Sequence, residues 1–567
     1  MNKIKNFFRL LKRLNFIIKN SGDFNFKIVV VLLIFKAFFE TVGIGLIYPF
    51  INLALNKDQI STSLFYDLIH NFDQSINEDS FLILYGFSLI FFFCLSTLIS
   101  VLAKIKADNF IWKMNTSIIK ISYKKHINEL LKVFKKSNSN KITHDVINEV
   151  HIFINGFLVN FIDFIPRLFL FLFLVSYLLI INPWITLVTL VILCLFYGGL
   201  LGALKSKINK MSNERYLHQN KLFDYVNSSI RALKDIKTNS FETYFIDKIG
   251  TPAYNFSMLN KGISIYSALP KFFIESSVLI SLVVYILFNF NEETAIEQLP
   301  MLSVLSLALI KLLPIIQGMF TNVTRIRFNF KSLFVIEDNL IKNKSRLNQP
   351  ELEKETFDSL EFKKISFAYD SKNVLNNQSF RFNQGDFWLL YGESGSGKTT
   401  FTEIMLGFLT PNSGKIYLNN KPWMSEELLS KRINLGYVSQ DIILFEGDLV
   451  ENITLKTKND SPDILQKINS LIELCALEDI VDSIGGVNGF ISEGGKNLSA
   501  GQKQRIIIAR ALFKEPELLV LDEATSALNA KLETQILQRL VDAKISIFMI
   551  THNDNLKGYT DKILVLK

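Results

Sequence analysis

The sequence predicts an α-helical membrane domain with six transmembrane helices, fused to a C-terminal α/β nucleotide-binding domain built on a phosphate-binding P-loop. Three observations predict it. Six apolar stretches, each near the roughly 20 residues a bilayer requires, fill the first part of the chain. The loops between them alternate between basic and acidic. Beyond about residue 357 the pattern changes to short strands around Gly392-Glu393-Ser394-Gly395-Ser396-Gly397-Lys398-Thr399, which fits G-x-x-x-x-G-K-[ST].

With 567 residues the chain is too long for one domain and predicts about three to four domain-sized units. It is 49% hydrophobic, with 50 phenylalanines, a composition that points to membrane rather than to a soluble enzyme. The net charge of +9 raises nucleic acid as a partner, but its distribution follows membrane topology, so no nucleic-acid partner is expected. Cys94, Cys194 and Cys475 are far apart and give neither a disulfide framework nor zinc-ligand spacing. The basic, amphipathic first residues lack a small-residue cleavage site, so no cleavable signal peptide is expected.

Residues 1–26 carry Lys3, Lys5, Arg9, Lys12, Arg13 and Lys19 among Ile4, Phe7, Phe8, Leu11 and Phe16. They read as a basic amphipathic helix on the cytoplasmic membrane face, with a basic disordered tail as the alternative. The transmembrane domain is placed at 27–325, with spans near 27–50, 80–103, 154–181, 183–204, 268–289 and 299–320. Asn182-Pro183 marks a tight hairpin between the third and fourth. The segments around 104–152 and 205–266 are rich in lysine, whereas the alternate loops hold Lys57 as their one basic residue against Asp58, Asp67, Asp73, Glu78, Asp79, Glu292, Glu293 and Glu297. Lysine and arginine excess marks the cytoplasmic side, so both termini are expected there, with two long helical excursions into the cytoplasm.

In the outer loop Ile60, Leu64, Phe65, Leu68, Ile69 and Phe72 recur at helical spacing, as a packing face or a ligand-contacting patch. Lys36 and Glu40, and Lys271 and Glu275, are spaced to neutralise each other along a helix. Lys311 has no such partner in its span, and an intramembrane cation is costly unless it faces a polar cavity. Lys311 is therefore the best candidate for a cavity-lining cation, and Lys271 joins it as a candidate substrate-cavity residue because both would suit an anionic head group. A polar linker is placed at 326–356, punctuated by Asn348-Gln349-Pro350.

The nucleotide-binding domain is placed at 357–567. Glu361–Tyr369 alternates like a strand and ends on an aromatic. Asp386–Tyr391 reads as a buried strand, and 400–409 as a helix with Phe401, Ile404, Met405 and Phe408 on one side. The glycines let backbone N–H groups converge on phosphate oxygens. Lys398 supplies charge for the β- and γ-phosphates, and the Thr399 hydroxyl suits Mg²⁺. Downstream come Gly436-Tyr437-Val438-Ser439-Gln440, Leu498-Ser499-Ala500-Gly501-Gln502, Leu518–Glu523, Ser526-Ala527-Leu528-Asn529 and Ile547–His552.

This ordered set of blocks resembles the ATPase of an ATP-binding cassette (ABC) transporter. The resemblance implies ATP and Mg²⁺ as cofactors and phosphoryl transfer to water, driven by positioning and electrostatics. It implies Glu523 as general base, Gln440 at the metal and attacking water, and His552 at the γ-phosphate. Thr399, Gln440 and Asp522 become the metal residues. ATP contacts are implied for Tyr369, Gly392, Glu393, Ser394, Gly395, Ser396, Gly397, Lys398, Thr399, Thr400, Gln440, Ser499, Gly501, Gln502 and His552. Tyr369 would stack on adenine, and Ser499 would reach the γ-phosphate across a dimer interface. One cassette per chain implies a second half-transporter, most simply a homodimer. The family usually has glycine at Ala500 and aspartate at Asn529, departures that bear on close phosphate approach and on communication between sites.

Six spans followed by one cassette resemble the exporter class (type IV). Glu40–Ile51, Ala268–Lys271 and Ala308–Pro314 are similar to stretches of bacterial lipid-linked oligosaccharide flippases of protein glycosylation. That likeness implies a polyprenyl-pyrophosphate glycan as substrate and the bacterial inner membrane as location. The alternatives are an exporter of peptides, drugs or simple lipids on the same scaffold, and an ATP-gated channel or regulator.

Overall fold

The computed structural model describes residues 2–22, 25–55, 60, 66, 78–127, 139–181, 183–289, 295–344, 354–369, 372–393, 395–423, 428–456, 462–560 and 562–566. The chain forms two compact units, one of residues 1–129 and 133–348 and the other of residues 349–567. The outer-loop patch, apart from Ile60, lies outside the described residues.

The first unit is helical. After Asn2–Ser21 come Phe26–Leu55, Glu78–Ile127, Val159–Ile181, Pro183–Arg231, Glu242–Asn289 and Ala295–Phe328. Each apolar stretch lies within these helices or the turns leading into them. Among the described residues three helical stretches, Phe26–Ala54, Ser80–Ile127 and Asn140–Ile180, are long and apolar enough to cross a membrane. Their outer surfaces are apolar: Ile83, Phe87, Ile90 and Phe91 are 60–71% exposed, as expected of side chains that meet lipid. The helices Val159–Ile181 and Pro183–Arg231 are tied to each other by Thr186, whose hydroxyl donates to the Leu178 carbonyl at 3.0 Å.

One core of this unit gathers distant segments. Leu14, Ile17 and Ile18 of the first helix pack with Phe110, Met114, Phe153, Phe157, Leu333, Ile336 and Leu340. Arg13 pairs with Glu337 at 3.2 Å and lies 4.4 Å from the Phe334 ring centroid. Residues 326–344, expected in a linker, are helical: Ala295–Phe328 runs on past 325 and is followed by helix Phe330–Lys344. The charges there dominate the sequence, but Leu333, Ile336 and Leu340 fall on one helical face and are buried. Two π-helical stretches, His144–Asn148 and Phe153–Leu158, flank Glu149. Arg215 bonds both oxygens of that buried carboxylate, at 3.2 and 3.3 Å.

The second unit is α/β. In chain order its strands are β1 (Ser359–Tyr369), β2 (Lys372–Asn383), β3 (Phe387–Gly392), β4 (Ser413–Leu418), β5 (Lys421–Trp423), β6 (Leu435–Val438), β7 (Gly447–Asp448), β8 (Phe490–Ile491), β9 (Leu518–Asp522), β10 (Ser546–Ile550) and β11 (Ile563–Leu566). Among the described residues they form an antiparallel sheet β2-β1-β4-β5, a parallel sheet β11-β3-β10-β9-β6 and the pair β7-β8. Strands β9 and β10 are buried at every position, which is why they read as unbroken apolar runs.

The parallel sheet positions the site. Ligands of such sheets bind beyond the carboxyl ends of the strands. Here the phosphate loop leaves β3, Gln440 follows β6, Glu523 follows β9 and His552 follows β10. The helix after the phosphate loop runs Lys398–Met405. It stops short of the expected 409 because Gly407 turns left-handed, at φ +82°.

An aromatic core joins the sheets. The ring of Phe401 lies 5.3 Å from Phe362, 5.2 Å from Phe380 and 6.0 Å from Phe548. Phe401→Ala is expected to cost about 3–5 kcal/mol, read as a lower melting temperature of the nucleotide-binding unit. Arg505, 6% exposed, bonds Asp479 through two nitrogens at 2.7 and 2.8 Å. These bonds hold the Asp479 carboxyl below the usual range. Its stabilising contribution is therefore complete above the ordinary carboxylate value of about 4 and is lost as pH falls through the depressed folded value. Asp479→Asn should flatten that part of the acid-unfolding curve.

Candidate functional site

The phosphate loop is shaped by glycines that admit no side chain. A Cβ on Gly392 would stand 2.7 Å from the Leu566 carbonyl oxygen. Gly397 has φ +95° and caps the helix Lys398–Met405, and a Cβ there would meet Val374 Cγ1 at 2.8 Å. Lys398 Nζ donates to the carbonyls of Gly392 at 2.7 Å and Glu393 at 2.9 Å, so the ammonium folds back over the loop. Ser396 Oγ is buried without a protein partner. A cation, an orphaned hydroxyl and a helix N-terminus thus converge, and these residues fit a polyphosphate. Thr399 is exposed and Thr400 buried; Ser394 lies outside the described residues.

Three of the residues expected to act on water come together. Gln440 Nε2 donates to Glu523 Oε2 at 2.8 Å, and His552 Nε2 lies 3.0 Å from Glu523 Oε1. Glu523 itself has φ +51°, a left-handed conformation that costs a non-glycine residue roughly 1–2 kcal/mol and persists where surrounding contacts fix it. Next to it, burial first and the charge of Glu523 second raise the Asp522 carboxyl above its ordinary value, with Lys398 opposing. A carboxylate kept short of solvation beside other acids is a fitting donor to a divalent cation, and Asp522 and Thr399 could hold one.

Tyr369 ends β1, is 46% exposed, and meets Phe367 edge to face with ring centroids 4.9 Å apart. Ser499, Gly501 and Gln502 lie elsewhere in the unit, at the start of helix Ala500–Leu512. Ser499 and Gln502 form a capping box: the Ser499 hydroxyl accepts from the Gln502 N–H at 3.3 Å, and Gln502 Oε1 accepts from the Ser499 N–H at 2.9 Å. Ala500 is the first residue of an ordinary helix and keeps a negative φ, so its methyl needs no glycine-like backbone. Asn529 caps the next helix, accepting from the Leu532 N–H at 2.8 Å, as an aspartate would.

Sequence reasoning missed two supports. The Tyr437 hydroxyl donates to Asp522 Oδ2 at 3.4 Å, and burial, then Asp522, raises that phenol. Gln504, 4% exposed, accepts from the Ala527 N–H at 2.9 Å and donates to Ser526 Oγ at 3.2 Å. Tyr437 lies inside the Gly436–Gln440 block, but nothing in spacing marks either residue.

Residues 375–526 match the family model described as ABC transporter. The C-terminal unit is an ABC transporter ATPase domain. A protein named ATP-dependent lipid A-core flippase, from Paraburkholderia xenovorans, is 25% identical over 453 residues, 76% of this chain and 73% of that protein. ABC transporter B family member 13 of Arabidopsis thaliana is 37% identical over 238 residues, 41% of this chain but only 19% of its own length. A solved bacterial Atm1-family ABC exporter with ATP bound superposes at TM-score 0.74 and 18% identity, over 98% of this chain and 94% of that one. The chain therefore has an ABC exporter fold, a helical N-terminal domain followed by the ATPase domain.

Gly397 tests the loop of this ATPase domain. Gly397→Ala combines a left-handed alanine with the Val374 contact and should weaken ATP binding by tenfold or more, about 1.4 kcal/mol, measured by displacement of a fluorescent nucleotide. The melting temperature should move little by comparison.

Proposed function

We propose that this protein is a half-transporter of the bacterial inner membrane that hydrolyses ATP as a dimer to flip a polyprenyl-pyrophosphate-linked oligosaccharide. The observation that carries the ATP-driven part is the Glu523 carboxylate held between Gln440 and His552, at the strand ends beside the phosphate loop.

In this reading the backbone of 392–399 and Lys398 hold the phosphates, and Tyr369 stacks on the base. Glu523 takes the proton from a water whose oxygen attacks the γ-phosphorus. The bond to the β-phosphate oxygen breaks and ADP leaves. Gln440 and His552 would keep the base from swinging away, and His552 would bond a γ-phosphate oxygen. Thr399, Gln440 and Asp522 would hold Mg²⁺, which neutralises charge on the phosphates. Ser499 and the helix N-terminus after it would complete the site of a second copy, most simply in a homodimer. The six helices would all span the bilayer, with both termini cytoplasmic on the lysine-rich side.

For the substrate, the Glu40–Ile51 stretch supports a lipid-linked glycan. Lys36 and Glu40 lie 3.9 Å apart, and Ser100 donates to Glu40 at 3.1 Å, so that pair satisfies itself. Lys271 has an exposed side chain on helix Glu242–Asn289; Lys311 lies on helix Ala295–Phe328, with its side chain outside the described residues. Both would suit an anionic head group crossing a polar cavity. A second reading, a phosphorylated glycolipid of the lipid A kind, is favoured by the Paraburkholderia relative. An exporter of peptides or drugs and an ATP-gated channel lack a comparable observation.

Purified protein in proteoliposomes decides between them. Polyprenyl-pyrophosphate oligosaccharide should raise ATP turnover severalfold and appear in the opposite leaflet in an ATP-dependent way. Stimulation by a lipid A-type glycolipid alone would replace the first reading with the second. Stimulation by neither lipid would overturn both.

A further inference from the structure

A buried carboxylate of the ATPase domain takes no part in the reaction above. Glu533 sits on helix Ala530–Asp542 and is 5% exposed. Its oxygens are used separately: Oε1 accepts from the Thr525 hydroxyl at 2.5 Å, and Oε2 accepts from the Asn553 side-chain amide at 2.9 Å. Thr525 is two residues beyond Glu523, and Asn553 directly follows His552. One side chain therefore grips both loops whose neighbouring residues meet at 3.0 Å. Both partners donate, so the bridge calls for two acceptor oxygens; a carboxylate has them and a carboxamide has one.

The grip matters because Glu523 occupies the left-handed region, which neighbouring contacts must impose. Among the bonds that constrain its segment, the Glu523 N–H donates to the Ile550 carbonyl at 3.1 Å, Thr525 donates to Glu533, and the Ala527 N–H donates to Gln504. On the other loop, the Asn553 N–H donates to Thr551 Oγ1 at 3.0 Å, and the Tyr391 hydroxyl donates to the Asn553 carbonyl. Glu533 alone, among these, bonds side chains of both loops.

We propose that Glu533 is a positioning residue for hydrolysis, which bridges Thr525 and Asn553 so that Glu523 and His552 keep the spacing at which the base is aimed. The proposal rests on ATP hydrolysis at this site. Its predicted signature is a loss in kcat with ATP affinity retained, because none of the three bridge residues belongs to the phosphate loop.

The test uses the full-length protein in lipid, with steady-state ATPase measured for wild type, Glu533→Gln, Thr525→Val and the double variant. Melting curves fix a temperature at which all are folded. Each single variant should lower kcat about tenfold with KM for ATP within about twofold, and the double should be no worse than the more severe single by more than about twofold, since both cut one bridge. The proposal is overturned if either folded variant keeps wild-type kcat, if KM rises while kcat holds, or if the two losses multiply. Thr525→Val keeps the test decisive should Glu533→Gln not fold. A wild-type protein without turnover would instead overturn the hydrolysis reading beneath it.

Discussion

The Glu523 carboxylate is held at both oxygens, by Gln440 at 2.8 Å and by His552 at 3.0 Å, on a backbone that turns left-handed as it leaves β9. That arrangement depends on the register of the parallel sheet. Ile550 lies opposite Asp522 on one side and opposite Leu390 on the other, so the phosphate loop, Glu523 and His552 leave three adjacent strands at one level. A slip of one residue in either pairing would invert the side chains of a strand buried on both faces. The cost of losing the core and the cost of losing the site are therefore the same event. Stability and chemistry are linked through β9 and β10.

The helical unit solves a different problem. Its spans carry large apolar side chains on outward surfaces, and two charge pairs among its described residues are matched, Lys36 with Glu40 and Arg215 with Glu149. The second pair is almost fully buried, so removing either partner would strand a charge. The core that joins the first helix to Phe330–Lys344 ties both ends of the unit's sequence together, which gives the basic N-terminal segment a packing role beside its positive charge.

Much of the ATPase domain was legible in the sequence, because local patterns encode it. The G-x-x-x-x-G-K-T run specifies its own turn, and β1, β3, β9 and β10 fall within a residue or two of where apolar runs place them. The bridge through Glu533 was not legible, since it joins residues 8 and 20 positions apart by contacts that no period announces. The helix at 330–344 was hidden by its charges. Ala500 and Asn529 stood out as departures, yet an ordinary helical N-terminus and an intact cap show how each is accommodated. In the membrane half, hydropathy located the apolar stretches but said little about Lys311 or the outer loop, where function would depend on side-chain placement.

The most direct test of the central claim is phosphate release by the full-length protein in lipid with MgATP, compared with Glu523→Gln at matched nucleotide occupancy. Sustained release by the wild type, with the variant binding one ATP per chain and releasing phosphate at least a hundredfold more slowly, about 2.7 kcal/mol of lost transition-state stabilisation, is the predicted result. Equal rates in the two proteins would contradict the assignment of Glu523 as the base.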